Sequence, residues 1–184
     1  MKRLFQKTNV LSILTYFLDN PYTEIYLREL ARKTGKSPST VLRVLSLLEK
    51  DGLIIKRVEK NATFFKASMS PGFKALKITY AVGKLEDAQF IDSIKAKSKG
   101  LSSILLYGSA AKGEDDVKSD YDIIAIASEC TVTSHELSKV LRREVNFKSY
   151  AISEWKEISK QNRAFYLEVI SNSFVLYGQK PVID

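Results

Sequence analysis

A short acidic step, Ser119-Asp120-Tyr121-Asp122, runs straight into an apolar segment, Ile123-Ile124-Ala125-Ile126. Upstream, a second apolar segment, Ser103-Ile104-Leu105-Leu106-Tyr107, ends abruptly in Gly108-Ser109. Short apolar runs bounded by turn residues read as buried strands. A strand turns its side chains to alternate faces, so Asp120 and Asp122 project to the same side. The pattern therefore demands a sheet with a carboxylate pair at one strand's entry and a glycine turn at another's exit. Gly108 lets the backbone approach a ligand closely. Ser109, opening a helix, adds a hydroxyl to the backbone N–H groups of a phosphate cradle.

Two carboxylates on one face suit Mg²⁺ or Mn²⁺, hard ions that prefer oxygen ligands and substrate phosphates. A phosphate cradle beside such a pair is what transfer of a nucleoside monophosphate from an NTP requires. The stretch 107–126 resembles the signature of the DNA polymerase beta-like nucleotidyltransferase superfamily in its minimal form. Gly108, Ser109, Gly113, Ser119, Asp120 and Asp122 carry the match, and Lys112 stands where many relatives have Arg. Phe174-Val175-Leu176-Tyr177-Gly178 is similar to the closing strand of that family. The resemblance implies Asp120 and Asp122 as catalytic metal ligands. Gly108, Ser109, Lys112 and Ser119 are implied as nucleotide-phosphate contacts, and a small helical protein as partner. The bland alternative is a chance turn before a solvated acidic loop, Glu114-Asp115-Asp116.

One position departs from the family. Catalytic relatives carry a third carboxylate on a later strand, here Val145-Asn146-Phe147-Lys148-Ser149-Tyr150-Ala151-Ile152, and the acidic position falls on Asn146. An amide offers one neutral oxygen, without negative charge or general-base capacity. Glu144 alternates to the other face, Glu154 is a substitute only if it is not committed to the next helix, and Lys148 could contact a phosphate. The reading thus forks between an active transferase and a degenerate domain used for nucleotide sensing or dimerisation.

The front of the chain has a different character. Residues 1–70 hold 13 Lys and Arg against 6 Asp and Glu, whereas residues 101–184 hold 10 against 12. Such a basic front suits a polyanion, duplex DNA first. Val10, Leu11, Ile13, Leu14, Phe17 and Leu18 recur at helical spacing until Asp19-Asn20-Pro21 ends the run. A second helix covers Tyr26–Thr34 before Gly35. The third starts at Ser37 as N-cap with Pro38 in the first turn, and closes at Asp51-Gly52. Val41, Val44, Leu45 and Leu48 make its buried stripe; Ser39, Arg43, Ser46 and Lys50 lie opposite. Two strand-like runs, 53–58 and 63–68, follow around the turn Glu59-Lys60-Asn61-Ala62. Three helices and a hairpin in this order resemble the winged helix-turn-helix of prokaryotic transcription regulators. The likeness is carried by Leu27–Ala31, Gly35–Val41 and Leu47–Ile54. It implies that Ser39, Thr40 and Arg43 approach bases or phosphates while Lys36, Lys56, Arg57 and Lys60 contact phosphates. A winged helix used only for protein contact is the alternative.

Between the two, residues 71–100 read as a helical connector interrupted at Gly83, suited either to a homodimer interface or to packing on the second domain. The expected class is α+β. A winged helix occupies residues 1–70, the connector 71–100, and a nucleotidyltransferase-like domain with a mixed sheet 101–184. Cys130 is the sole cysteine and His135 the sole histidine, so neither a disulfide nor a Cys-based zinc site is available. That composition, with no apolar run of membrane length and no signal-peptide pattern, fits a cytoplasmic protein without a membrane partner.

Overall fold

The computed structural model describes residues 8–60 and 62–183. The basic start Met1–Lys7, Asn61 of the expected turn, and Asp184 lie outside the described residues. The chain divides into two compact units, one through Tyr80 and one from Ala81.

In the first unit, α1 (Asn9–Asp19) starts at Thr8, whose hydroxyl accepts from Leu11 N. Strand β1 (Ile25–Tyr26) leads into α2 (Leu27–Thr34), which Gly35 stops in the left-handed region. Helix α3 (Pro38–Lys50) begins as its sequence predicts: Ser37 Oγ accepts from Thr40 N at 3.2 Å, with Pro38 in the first turn. A cap of this kind contributes about 1 kcal/mol. Strands β2 (Ile54–Glu59) and β3 (Ala62–Ala67) form the wing. The sheet has three strands rather than the two of a bare hairpin, because β1 pairs antiparallel with β3 in the order β1-β3-β2. Sequence periodicity cannot register a two-residue strand, so Tyr26 read as helix. Ile13, Phe17, Leu30, Val41, Leu45, Leu48, Ile54 and Phe65 bury one continuous core. Each such side chain removed from water stabilises the unit by about 1.5–3 kcal/mol.

Helix α4 (Pro71–Asp87) passes from the first unit into the second. It runs unbroken through Gly83, and the break falls instead at Ala88-Gln89, ahead of α5 (Phe90–Ala96). One glycine costs a helix only about 1 kcal/mol, which Ala81 and Leu85 offset by burial in the second core. Lys77, buried, donates to Leu18 O at 2.7 Å within the first unit. Ser98-Lys99, expected to close the connector, forms β4 and pairs with β7 (Glu129–Cys130).

The rest of the second unit is built on a four-stranded mixed sheet. Its strands are β5 (Ser103–Tyr107), β6 (Tyr121–Ile126), β8 (Val145–Tyr150) and β9 (Phe174–Gly178), in the order β8-β6-β5-β9. β6 and β8 are parallel; the other pairs are antiparallel. Helices α6 (Gly108–Lys112) and α7 (Ser134–Leu141) accompany one core, with Ile104, Leu106, Ile123, Ala125 and Leu137. Helices α8 (Ile152–Gln161) and α9 (Arg163–Asn172) pack on the other face, where Leu105, Ile124 and Ile126 meet Trp155, Tyr166 and Val169. Strict alternation along β5 and β6 divides the two cores. Ser138 and Ser134 of α7 accept from Val145 N and Phe147 N, each at 3.0 Å, so part of the β8 backbone is satisfied by side chains. The mixed α+β class expected from sequence is the class observed.

Candidate functional site

The sheet brings Gly108, Asp120, Asp122 and Asn146 of the second unit together. Antiparallel pairing sets Tyr107 opposite Asp122, so the end of β5 and the entry of β6 are adjacent. Parallel pairing sets Asn146 opposite Asp122. Asp120, Asp122 and Asn146 therefore share one face, as the two-residue alternation predicts. Asn146 Nδ2 donates to Asp122 Oδ1 at 3.1 Å and to Asp120 Oδ2 at 3.3 Å. Only the amide nitrogen can satisfy two ionised carboxylates, which accept and never donate. The position expected to carry a third carboxylate carries instead a neutral bridge between the first two.

Gly108 adopts φ +71°, and a β-carbon there would collide with the Asp122 carboxylate, lying 3.1 Å from its Cγ. The glycine is thus required by its conformation and by the carboxylate packed against it. Ser109 follows, half-buried, in the short helix α6. Lys112 pairs with Glu168 of α9, Nζ to Oε1, at 2.6 Å. The hydrogen bond from Lys112 holds the Glu168 carboxyl below its ordinary range and raises the lysine in turn. Ser119 lies in a tight turn: its hydroxyl donates to Asp116 Oδ1 and accepts from Asp116 N, both at 2.9 Å.

The acidic loop is more ordered than a solvated segment. Asp115 is buried and ion-paired with Arg143 at 3.2 Å. Burial opposes ionisation of Asp116. The Lys118 amide, the hydroxyl and amide of Ser119, and the Arg143 charge outweigh it and hold the carboxyl below its usual range.

Two aromatic side chains on the α9 side, Tyr107 and Phe165, escaped sequence reasoning. Tyr107 is half-buried, and burial together with the nearby Asp122 charge pushes its phenol up to about 12. Its ring meets Phe165 edge-on at 5.8 Å, and Lys148 Nζ lies 5.9 Å from the Phe165 centroid. The antiparallel register could have found Tyr107; nothing in the local sequence marks Phe165. Glu154 is committed elsewhere, since Oε2 accepts from Ala151 N at 2.7 Å at the start of α8. Glu144 is exposed, one residue before β8, and its carbonyl accepts from Tyr121 N.

Among the described residues no group of three His, Cys, Asp or Glu could hold a metal ion. Asp120 and Asp122 still fit one hard divalent cation if ligand phosphates and water complete its shell, as is usual for Mg²⁺. Asn146 would join it by turning its amide oxygen inward.

On the first unit, Ser39, Arg43, Ser46 and Lys50 are exposed along α3, opposite Val41, Val44, Leu45 and Leu48. Leu42 and Leu47 are exposed too, so that surface is partly apolar. Ser37 Oγ lies 3.0 Å from Ser39 Oγ and donates to Thr40 Oγ1 at 2.9 Å. Lys36 is half-buried, while Lys56 and Lys60 are exposed at the wing. Arg57 differs from them. Its Nη2 and Nε meet the Glu24 carboxylate at 2.6 and 3.1 Å, Nη1 meets Glu59, and the guanidinium lies 4.7 Å from the Phe64 ring centroid. A guanidinium so engaged ties β2 to the segment before β1.

Residues 8–55 match the family of winged helix-turn-helix DNA-binding domains. The winged helix read from the helix order is therefore found, with a DNA-binding family behind it. Among solved structures, reduced HlyU from Vibrio cholerae N16961 is 29% identical, with 41% of this chain and 75% of that chain covered and a TM-score of 0.34. A toxin-antitoxin crystal structure with AMP-PNP is 17% identical, with 54% and 74% covered and a TM-score of 0.38. A search of curated proteins finds no match. No helix among the described residues is long and apolar enough to cross a membrane.

Proposed function

We propose that the chain is a DNA-binding protein whose second unit is a nucleotidyltransferase-type domain, transferring a nucleoside monophosphate from an NTP to an acceptor. The observation that carries this reading is the packing of Gly108 against the Asp122 carboxylate. It makes the glycine turn and the Asp120–Asp122 pair one site rather than two separate motifs. In that site Asp120 and Asp122 would hold a divalent cation. The Gly108–Ser109 turn receives phosphate oxygens, and Lys148 stands on the same strand face as Asn146 to meet a further negative charge. A Mg²⁺ or Mn²⁺ ion held by these residues would supply neutralisation of charge on the phosphates. Phosphoryl-type transfer asks a protein mainly for positioning and electrostatics, so the loss of one carboxylate slows the site before it silences it.

Asn146 favours a second reading, in which the nucleotide is a signal and not a substrate. A neutral amide supplies neither charge nor a base, so binding can persist where turnover does not. A nucleotide could then bias DNA binding, given unequal affinity for two states.

The test is incubation with α-labelled NTPs, Mg²⁺ or Mn²⁺ and cell extract as acceptor source, comparing wild type with Asp120→Ala/Asp122→Ala. Transfer that vanishes in the double variant supports the first reading. Nucleotide binding that needs both aspartates without any transfer supports the second. Binding and transfer both absent, or both indifferent to the aspartates, would sink each of them.

A further inference from the structure

Arg143 lies on the turn between α7 and β8, three residues before Asn146, and sequence reasoning gave it no role. It grips the loop that delivers the carboxylate pair. Its Nε donates to Ser119 O, its Nη2 donates to Asp116 O and to Asp115 Oδ2, and its guanidinium stacks 4.2 Å from the centroid of Tyr121. The two carbonyls flank the turn that ends at Asp120, and Tyr121 is the residue between the two aspartates. The Arg143–Asp115 pair is largely shielded, with side-chain exposures of 13% and 7%. Water therefore competes poorly for these contacts, unlike the exposed ion pairs of this unit. Immediately beyond, Tyr121 N donates to Glu144 O, fastening the start of β6 to the chain entering β8.

We propose that Arg143 is a positioning residue: by clamping the 115–121 segment onto the entry of β8 it sets Asp120, beside the ladder-held Asp122, at hydrogen-bonding distance from Asn146. The reason is geometric. Asp120 precedes β6 and has no ladder partner of its own, so its backbone takes its place from the turn before it and from Tyr121 after it. Both of those neighbours are held by one guanidinium. Lysine cannot replace it, because a single ammonium lacks the planar fork that reaches two carbonyls, a carboxylate and a ring face at once.

The inference rests on reading Asp120 and Asp122 as the site, but one arm of its test needs no ligand. In the full chain, the side-chain amide pair of Asn146 is followed by NMR and assigned by its loss in Asn146→Asp. In Arg143→Ala the pair should move toward the position of a free, exchanging amide. In Arg143→Lys, melting should recover more than the amide signal does, which separates positioning from stability. Mn²⁺ affinity, measured by titration, should fall about tenfold or more in either variant, the usual cost of removing a support behind a metal ligand. An unchanged Asn146 amide pair in folded Arg143→Ala overturns the proposal. If that variant does not fold, an unchanged pair in Arg143→Lys does so. Failure of the wild type to bind Mn²⁺ through the aspartates defeats the functional reading instead, and the amide signal still judges Arg143.

Discussion

Asn146→Asp is the substitution that most sharply interrogates the site. In the wild type, one amide donates to both carboxylates, at 3.1 and 3.3 Å. Hydrogen bonds to charged acceptors are worth about 1.5–3 kcal/mol each when well shielded, and exposed Asn146 places these at or below the low end. The replacement also sets a third negative charge near the other two. At about 4 Å each like-charge pair costs roughly 1 kcal/mol in water and up to about 4 kcal/mol near a protein surface. An exposed site lies toward the watery end of that range. Lost bonds and repulsion together give about 2–5 kcal/mol of destabilisation near neutral pH without a divalent cation. For a unit of this size that is a fall in Tm of roughly 10–20 °C. Mg²⁺ or Mn²⁺ should reverse the sign, because three carboxylates gain from the cation what they lose from one another. Differential scanning fluorimetry with and without the metal reads both effects, and labelled transfer should rise at least about tenfold in the variant. An unchanged or higher metal-free Tm would refute the bridging role of the amide. A variant that gains no more from Mg²⁺ than the wild type would refute the cation site.

Gly108→Ala should lose metal and nucleotide binding while costing about 1–3 kcal/mol of stability, since the methyl group meets Asp122 at a positive φ; calorimetric titration of the folded variant checks it. Lys56→Ala and Lys60→Ala should each weaken DNA binding uniformly and reduce the salt slope by about 0.9, read by retardation at several salt concentrations. Arg57→Ala should instead loosen the wing, because its guanidinium already serves Glu24, Glu59 and Phe64, and amide exchange in β2 should rise more than the salt slope falls. Asp116 has its folded pKa depressed, so its contribution is present above the ordinary carboxylate range and lost as pH falls through the folded value. Asp116→Asn should flatten that acid limb in a pH series of melts, and an identical limb would exclude the turn as its source.

Much of the fold is written locally. Ser37-Pro38 and Asp51-Gly52 bound α3 in the sequence as they do in the structure, because a cap and a stop act within one turn of helix. The carboxylate pair was legible for a similar reason: alternation along one strand needs no partner strand. What could not be read depends on contacts distant in sequence. The strand β1 exists only because β3 is there to pair with it. Asp115 belongs to a solvated loop until Arg143, 28 residues later, reaches it. The helix break moved from Gly83 to Gln89 because Ala81 and Leu85 are buried in the second core, and no helix propensity records that. Arg57 looked like a phosphate contact from its charge, yet its fork is shared between Glu24 and Glu59. Charge can be counted from a sequence, but its availability cannot.

The same distinction bears on what Asn146 does to the site. Two carboxylates on one face repel, and the Asn146 amide offsets that repulsion by giving both a donor. The carboxylate pair is therefore held in order, and a cation would compete with that order. For a cation to be held there, Asn146 would give up both hydrogen bonds and turn Oδ1 inward, supplying a neutral ligand in place of a charged one. Each change acts against affinity, so binding should depend on the triphosphate arriving with the cation and contributing its own oxygens. Mg²⁺ alone should leave the Asn146 amide signal nearly unmoved, while Mg²⁺ with an NTP should shift it. A shift as large with Mg²⁺ alone would mean that the amide is no barrier and that the cation finds its shell in the protein.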